Sequence, residues 1–239
     1  MSKGLIKFRA NIDDTVVFIK TDSSKAAIRA LKSIRKSRIE LERHVLKNAE
    51  FLKTLKPIEV SPDSPEVVKR MASAAKSAGV GPMAAVAGAI SDLAVESMIE
   101  EGARIAVVEN GGEISANSIN ELNIAIISGS PSISGKFGFR VSPEEMPLGI
   151  GTSSATLSHA LSFGEADAAT IVAKNAALGD AVATAACNEV QSRDIKASMK
   201  RGLELVKKIS GVRGGIIIRD KYIGVVGKIP QIILIDGFI

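Results

Sequence analysis

Residues 149–188 read GIGTSSATLSHALSFGEADAATIVAKNAALGDAVATAACN, the densest run of polar chemistry in an otherwise aliphatic chain. The glycines and hydroxyls at residues 149–154 predict that the stretch opens with a turn. It then carries His159 and continues through an apolar run at residues 168–173. It ends in small residues that place Asp180 and Thr184 four positions apart. We therefore expect the fold to be organised around this stretch, and the functional site to lie within it.

The composition is that of a globular protein with an aliphatic core. The chain of 239 residues is 46% hydrophobic and 24% charged, but it holds only seven Phe and one Tyr. Because base stacking needs aromatic rings, nucleic acid is disfavoured as a partner. The single cysteine, Cys187, excludes an intramolecular disulfide and fits a reducing compartment. The first residues lack the apolar segment of a signal peptide, and the uncharged stretch at residues 77–91 is too short and broken to span a bilayer. A cytoplasmic protein without a membrane partner is expected.

The positive charge is concentrated near the N-terminus. Residues 1–56 contain 14 Lys and Arg against 6 Asp and Glu, whereas the whole chain carries a net charge of only +5. The simpler interpretation is a solvated helix face. The alternative is a surface that attracts a phosphorylated or otherwise anionic partner.

Helices and antiparallel strands come in separate runs, which predicts an α+β fold with mixed or antiparallel sheets and packed helices. One domain over residues 1–239 is expected, in which a hairpin and a basic helix (1–56) precede the core (57–239). Hydrophobic periodicity and turn residues predict a hairpin at 5–20, helices between 24 and 100, strands at 104–109, 122–128, 135–141 and 168–173, helices at 179–189 and 193–210, and three final strands.

Asp180 and Thr184 are the first candidate pair. At positions i and i+4 of a helix, their side chains lie on one face, one turn apart. We expect this helix to begin at Gly179, so that free N–H groups at its N-terminus would also attract a phosphate. The Asp180 carboxylate, the Thr184 hydroxyl and a local carbonyl, with that of Ala183 as the obvious candidate, would suit a hard divalent cation. The competing interpretation is that Asp180 only caps its own helix.

Two segments rich in glycine and hydroxyls are candidate ligand-binding turns, because successive backbone N–H groups can surround a phosphate. The residues are Asn110, Gly111 and Gly112 in the first segment and Thr152, Ser153 and Ser154 in the second. The second segment matches neither a P-loop nor the nucleophile turn of α/β-hydrolases. Ordinary turns are the alternative for both.

His159 is a candidate for proton transfer, since hydroxyls flank it at Ser158 and Ser162. A histidine satisfied in the core or at an interface is the competing interpretation. A serine hydrolase that combines Ser153 or Ser154 with His159 and Asp180 is a third hypothesis, with little support from the spacing.

The residues at positions 84–89 are alanines, one valine and one glycine. Side chains this small let another group approach the backbone closely. Tight helix packing is one explanation, and a ligand lying against the backbone is the other. Alanine-rich helices could also form an interface between copies, and a homo-oligomer is expected.

Taken together, these segments resemble a known family. Residues 110–114, NGGEI, resemble the N-x-G-G-D/E-I element of the ApbE superfamily, the FAD:protein FMN transferases. Residues 152–154, TSS, resemble its T-S-G turn, and residues 179–185, GDAVATA, resemble its A-D-A-x-x-T-A metal motif in the same order. The closer similarity is to an uncharacterised ApbE-like family, over roughly residues 80–190 and more loosely over most of the chain.

The resemblance implies an ApbE-like α+β fold and Mg²⁺ held by Asp180, the Ala183 carbonyl and Thr184, beside the pyrophosphate of FAD. It implies FAD or FMN as the ligand, held by backbone at residues 110–112 and 152–154, with Asp180 and His159 as catalytic residues. The implied reactions are transfer of FMN to a threonine of a protein target, or cleavage of the pyrophosphate.

The chain also departs from the transferases. Their H-I-x-D-P-x-T-G element keeps only a histidine near His159, and the lysine of their A-K-G helix has no counterpart among residues 86–88. The missing D-P-x-T-G favours the alternative of a binding or assembly module that keeps the fold without transferase activity, whereas the retained Asp180, Thr184 and His159 favour an enzyme.

Overall fold

A computed structural model describes residues 4–13, 15–127, 134–155 and 164–235. The strands are β1 (Ile6–Ile12), β2 (Thr15–Thr21), β3 (Ile105–Asn110), β4 (Glu113–Ser118), β5 (Leu122–Ala125), β6 (Phe137–Val141), β7 (Leu148–Ser153), β8 (Ala168–Ala173), β9 (Val212–Arg219), β10 (Tyr222–Gly227) and β11 (Gln231–Leu234). The α-helices are α1 (Ser24–Lys47), α2 (Ala49–Lys53), α3 (Glu66–Ala78), α4 (Val86–Glu100), α5 (Ala176–Glu189) and α6 (Ile195–Lys208).

The main sheet repeats one arrangement twice. Its eight antiparallel strands lie in the order β1-β2-β3-β4-β7-β8-β9-β10. In the first half, helices α1–α4 join the hairpins β1-β2 and β3-β4, and in the second half α5 and α6 join β7-β8 and β9-β10. The halves meet where β4 pairs with β7, so α4 and α5 lie side by side on the sheet.

The helices pack on one face of this sheet. A small three-stranded sheet, β11-β6-β5, packs on the opposite face. Successive side chains of a strand point to opposite faces of the sheet, so alternate residues pack into the two hydrophobic cores. On β8, Ile171 packs into the helix-side core and Val172 into the opposite one. Both cores are largely aliphatic, as the composition predicted, and Phe51 and Phe139 are the aromatic members among the largest fully buried side chains. The α+β prediction is confirmed.

Helix α4 and the short 3-10 turn before it form an apolar segment, Pro82–Glu100, of 19 residues. By length and composition the segment could cross a membrane. However, 56% of it is buried within the fold, against α1, α5 and the sheet. This burial is typical of a core helix.

Two local predictions are wrong. Residues 149–153 lie in strand β7, which pairs with β4 on one side and β8 on the other, and not in a turn. Sheet hydrogen bonds on both sides outweigh the turn preference of glycine and serine. Helix α5 begins at Ala176 and not at Gly179, because the Asn175 side chain caps it by accepting a hydrogen bond from the Leu178 N–H, at 3.0 Å.

Candidate functional site

Asp180 lies on α5, where that helix crosses the N-terminus of α4. Its carboxylate accepts a hydrogen bond from the Gly88 N–H at 3.0 Å and a second one from the Ala87 N–H. These are donors of the first turn of α4, which have no partner within their own helix. Asp180 therefore caps a helix, but a neighbouring one and not its own.

Asp92, on α4, makes the reciprocal contact. Its two carboxylate oxygens accept from the N–H groups of Ala176 and Ala177, each at 2.9 Å, and the hydroxyl of Ser115 adds a further hydrogen bond. The N-terminus of α5 is thus occupied by a buried side chain of the protein. The predicted phosphate seat at this helix end is therefore wrong.

Glycines allow this close crossing. A Cβ atom on Gly88 would stand 2.3 Å from the carbonyl oxygen of Ala176, and one on Gly151 would stand 2.3 Å from the backbone nitrogen of Asp180. Both distances are far below a normal contact, so any larger residue would force the backbones apart. At Gly88 the small-residue segment serves tight helix packing, as one of the two interpretations of the sequence proposed.

Glu113 brings a second carboxylate to Asp180. It begins β4 on the helix side of the sheet, is 7% exposed, and accepts a hydrogen bond from the Thr152 N–H. Burial, and then the negative charge of Asp180, hold the pKa of Glu113 well above its ordinary value. A buried carboxyl group whose pKa is raised further by a neighbouring negative charge favours a retained proton or a bound cation.

The electrostatics of Asp180 agree with that conclusion. Burial first, and then the charge of Asp92, raise the pKa of Asp180 from 3.8 to about 7 against the opposing hydrogen bonds from Gly88 and Ala87. Burial also raises the pKa of Asp92. Three carboxyl groups with raised pKa values therefore surround the crossing of α4 and α5.

The turn at Asn110, Gly111 and Gly112 lies at the edge of this cluster. Gly111 and Gly112 have φ values of 66° and 112°, which favour glycine, and they join β3 to β4. The Asn110 amide donates to the Ala87 carbonyl at 3.3 Å, and the Gly112 N–H donates to Glu109 at 2.9 Å. The turn therefore borders the site, but the Gly112 N–H already has a partner within the protein.

Thr152, Ser153 and Ser154 are divided between the faces of the sheet. The Thr152 hydroxyl lies 3.1 Å from that of Thr170, on the face away from α5, and only its backbone N–H reaches Glu113. Ser153, at the end of β7, is on the helix side and 6% exposed, and Ser154 is 5% exposed. Residues in a strand that is paired on both sides have fewer free backbone N–H groups for a ligand than residues in a turn.

The predicted metal ligands on α5 differ in their exposure to solvent. Thr184 is partly exposed one turn beyond Asp180 on the same helix face, as predicted. Ala183 is fully buried in the helix interior, where its carbonyl belongs to the i→i+4 hydrogen-bond ladder. Its role as a ligand remains a prediction. His159 lies outside the described residues.

Among the described residues there is no group of three His, Cys, Asp or Glu side chains placed to hold a metal. Mg²⁺ commonly takes only one or two carboxylates and completes its shell with water and substrate phosphates. Asp180 and the Thr184 hydroxyl stay the predicted oxygen ligands, and Glu113 is a further carboxylate whose pKa the charge of Asp180 raises.

Sequence reasoning did not assign chemistry to Glu113 or Asp92. A signal existed for both. Glu113 directly follows the two glycines of a tight hairpin, and Asp92 is the one charged residue in the first half of an apolar helix.

Comparisons with known proteins agree with this architecture. The chain is 40% identical over 235 residues to a UPF0280 protein of Methanocaldococcus jannaschii, covering 96% of this chain and 94% of the relative. It is 41% identical over 227 residues to a UPF0280 protein of Archaeoglobus fulgidus, with 95% and 94% covered.

Among solved structures, the ApbE protein of Thermotoga maritima is similar with a TM-score of 0.60 at 12% identity, over 90% of this chain and 94% of that one. A variant of the flavin transferase ApbE from Vibrio cholerae is similar with a TM-score of 0.59 at 14% identity, over 93% and 97%. These structures share the fold. The family model described as AbpE bacteria matches residues 1–208, and the chain therefore belongs to that ApbE-like family.

Proposed function

We propose that this protein binds a phosphate-containing small molecule, most specifically a flavin nucleotide such as FAD or FMN, together with Mg²⁺. The observation that carries the proposal is a pair of carboxylates with raised pKa values, the buried Glu113 and the partly exposed Asp180, with the Thr184 hydroxyl one turn from Asp180 on α5. Negative charge on a buried carboxyl group is costly unless a proton or a cation compensates it.

In this proposal Asp180 and Thr184 hold the metal, with Glu113 beside them and the Ala183 carbonyl as the further predicted ligand. Bound Mg²⁺ would supply charge stabilisation to a pyrophosphate. The turn at residues 110–112 and the end of β7 would orient the ligand. His159 would move a proton.

Two reactions are compatible with that arrangement. Water could cleave the pyrophosphate of FAD to give FMN and AMP. Alternatively, a threonine hydroxyl of a protein target could take the FMN phosphoryl group, with AMP as the leaving group and the hydroxyl proton passed to a base. Release of AMP is common to both, and only transfer leaves a yellow, covalently modified protein.

The test is calorimetric titration of FAD, FMN and ADP into the protein, in Mg²⁺ and in EDTA. We expect FAD binding that depends on Mg²⁺ and is lost in Asp180→Asn, which keeps an oxygen for the Gly88 N–H. Glu189→Gln, an exposed change on the same helix, is the matched control and should bind as the wild type does. Binding that neither EDTA nor Asp180→Asn weakens would remove the metal role, and no binding of any nucleotide would remove the flavin assignment.

A second candidate is a non-catalytic binding or assembly module. One observation favours it: Asp180 has a structural use as the cap of α4, so its presence does not require chemistry. This candidate predicts ligand binding without AMP release, which chromatography of an FAD incubation would show.

A further inference from the structure

A cavity of about 350 Å³ lies between α1, the start of α4 and the ends of β2 and β3. This volume is at the lower end of the roughly 300–1,000 Å³ of small-molecule sites. Most of its wall is apolar. Its larger apolar side chains are Leu41, Val45, Leu52, Met83, Val86 and Ile90.

The polar end of the cavity holds Arg38. The side chain of Arg38 is only 19% exposed, and its Nε atom is buried without a hydrogen-bond partner among the described residues. A guanidinium has five N–H donors, and one of them is given to the Thr15 hydroxyl. A largely buried cationic donor that makes no hydrogen bond and faces an apolar cavity is a feature of an anion-binding site.

Among the described residues, Asp13 and Glu42 form ion pairs with Arg38 without a hydrogen bond to its Nε, and Glu42 also lines the cavity. Asp13 lies 3.4 Å from Nε, and Glu42 lies 3.8 Å from Nη2, but their side chains are 74% and 62% exposed. Ion pairs to such solvated carboxylates contribute little and are readily exchanged. Helix α1 also carries eight Lys and Arg against two Glu, so its field favours an incoming anion.

We infer that Arg38 binds the anionic group of a small molecule whose apolar body occupies this cavity. The ligand class is a carboxylate, sulfonate or phosphate carried on a compact ring or branched aliphatic body. The cavity and the Asp180 site share the backbone of Ala87, whose N–H donates to Asp180 and whose carbonyl accepts from Asn110. Asn110, which the proposed function assigns to the nucleotide, also lines this cavity. The anion contact at Arg38 goes beyond that proposal and needs no metal.

The test uses two fluorescent probes with the same arrangement of rings. The first, 8-anilinonaphthalene-1-sulfonate, carries an anion, and the second, N-phenyl-1-naphthylamine, does not. Both are titrated in EDTA into the wild type and into Arg38→Met, which keeps the apolar stem and removes the guanidinium. We expect the Kd of the sulfonate to rise at least about tenfold, as for loss of one charge-assisted hydrogen bond, and that of the neutral probe to stay within about twofold.

Two controls separate recognition from folding. Arg35→Met changes the same charge on an exposed position of α1 and should leave both probes unaffected. Val45→Trp fills the cavity and should weaken both. Arg38→Lys keeps the positive charge without the planar set of guanidinium donors, so its affinity for the sulfonate should be intermediate. This variant replaces Arg38→Met in the test if Arg38→Met does not fold.

Equal sulfonate affinity in the wild type and Arg38→Met would overturn the inference. An equal loss for both probes would also overturn it, as would a wild type that binds neither. Because the titrations contain EDTA and no nucleotide, their outcome is independent of the Mg²⁺-dependent binding of FAD.

Discussion

Asp92 and Asp180 each cap the N-terminus of the helix that carries the other. Asp92 on α4 holds the first N–H groups of α5, and Asp180 on α5 holds those of α4. The exchange fixes the crossing of the two helices, and it places negative charge in a buried region. Stability and ligand chemistry therefore depend on the same side chains.

Removal of the first cap should destabilise the fold. Asp92→Ala leaves the N–H groups of Ala176 and Ala177 buried without an acceptor, so we expect the free energy of unfolding to fall by about 2–4 kcal/mol. Urea denaturation followed by circular dichroism measures it. Asp92→Asn keeps an acceptor and should lose less. Glu100→Ala, exposed on the same helix, should change stability by less than about 0.5 kcal/mol, and an equal effect in both alanine variants would contradict the cap.

The close contact of α5 with β7 should tolerate no side chain at Gly151. Because a Cβ there would meet the Asp180 nitrogen at 2.3 Å, Gly151→Ala must move the helix. We expect a loss of at least about 2 kcal/mol in thermal or urea unfolding, or failure to accumulate as soluble protein. Gly4→Ala is the control, since its Cβ would point into open space. Normal stability of Gly151→Ala would mean that the helix and strand are less closely packed than described.

Residue patterns predicted the fold class, the N-terminal hairpin and most strands, because hydrophobic alternation is local information. They missed β4 and the role of β7, where Gly149 and Gly151 read as turn residues. Those positions need glycine because the backbone at the start of α5 packs directly against the strand. This is a tertiary contact, which local sequence patterns do not contain. The family motif identified Asp180 and Thr184, but the partners Glu113 and Asp92 approach Asp180 only through the pairing of β4 with β7 and the crossing of α4 with α5.

The metal-free protein should lose stability as the pH rises from about 4 to 7. The pKa values of Asp92, Glu113 and Asp180 are all raised by folding, so over this range the folded state holds protons that the unfolded chain has released. The shift of Asp180 from 3.8 to about 7 corresponds to at most about 4 kcal/mol, and to less because the residue is partly exposed. Melting temperatures in EDTA between about pH 5 and pH 8 measure the trend, and Asp180→Asn should flatten it. A melting temperature that rises with pH would be inconsistent with three raised pKa values.

Mg²⁺ should reverse this loss if it binds at Asp180. A cation binds the ionised carboxyl groups, so the gain in melting temperature should be large at about pH 8 and small at about pH 5, where protons compete with the metal. The gain should vanish in Asp180→Asn and persist in Glu189→Gln. A gain of equal size in Asp180→Asn would place the metal elsewhere.

Glu113→Gln should stabilise the metal-free protein and weaken its binding of Mg²⁺. The glutamine keeps an oxygen for the Thr152 N–H but removes a buried carboxyl whose ionisation is unfavourable, so the melting temperature in EDTA at about pH 8 should rise. The same change removes one of the two carboxylates at the proposed site, so the Kd for Mg²⁺ should rise by about tenfold or more. Calorimetry and thermal melting of one preparation give both values, and Glu121→Gln, exposed at the sheet edge, should change neither. Opposite effects on stability and affinity are expected of a charge kept for a cation, whereas a loss of both would show that Glu113 serves only the fold.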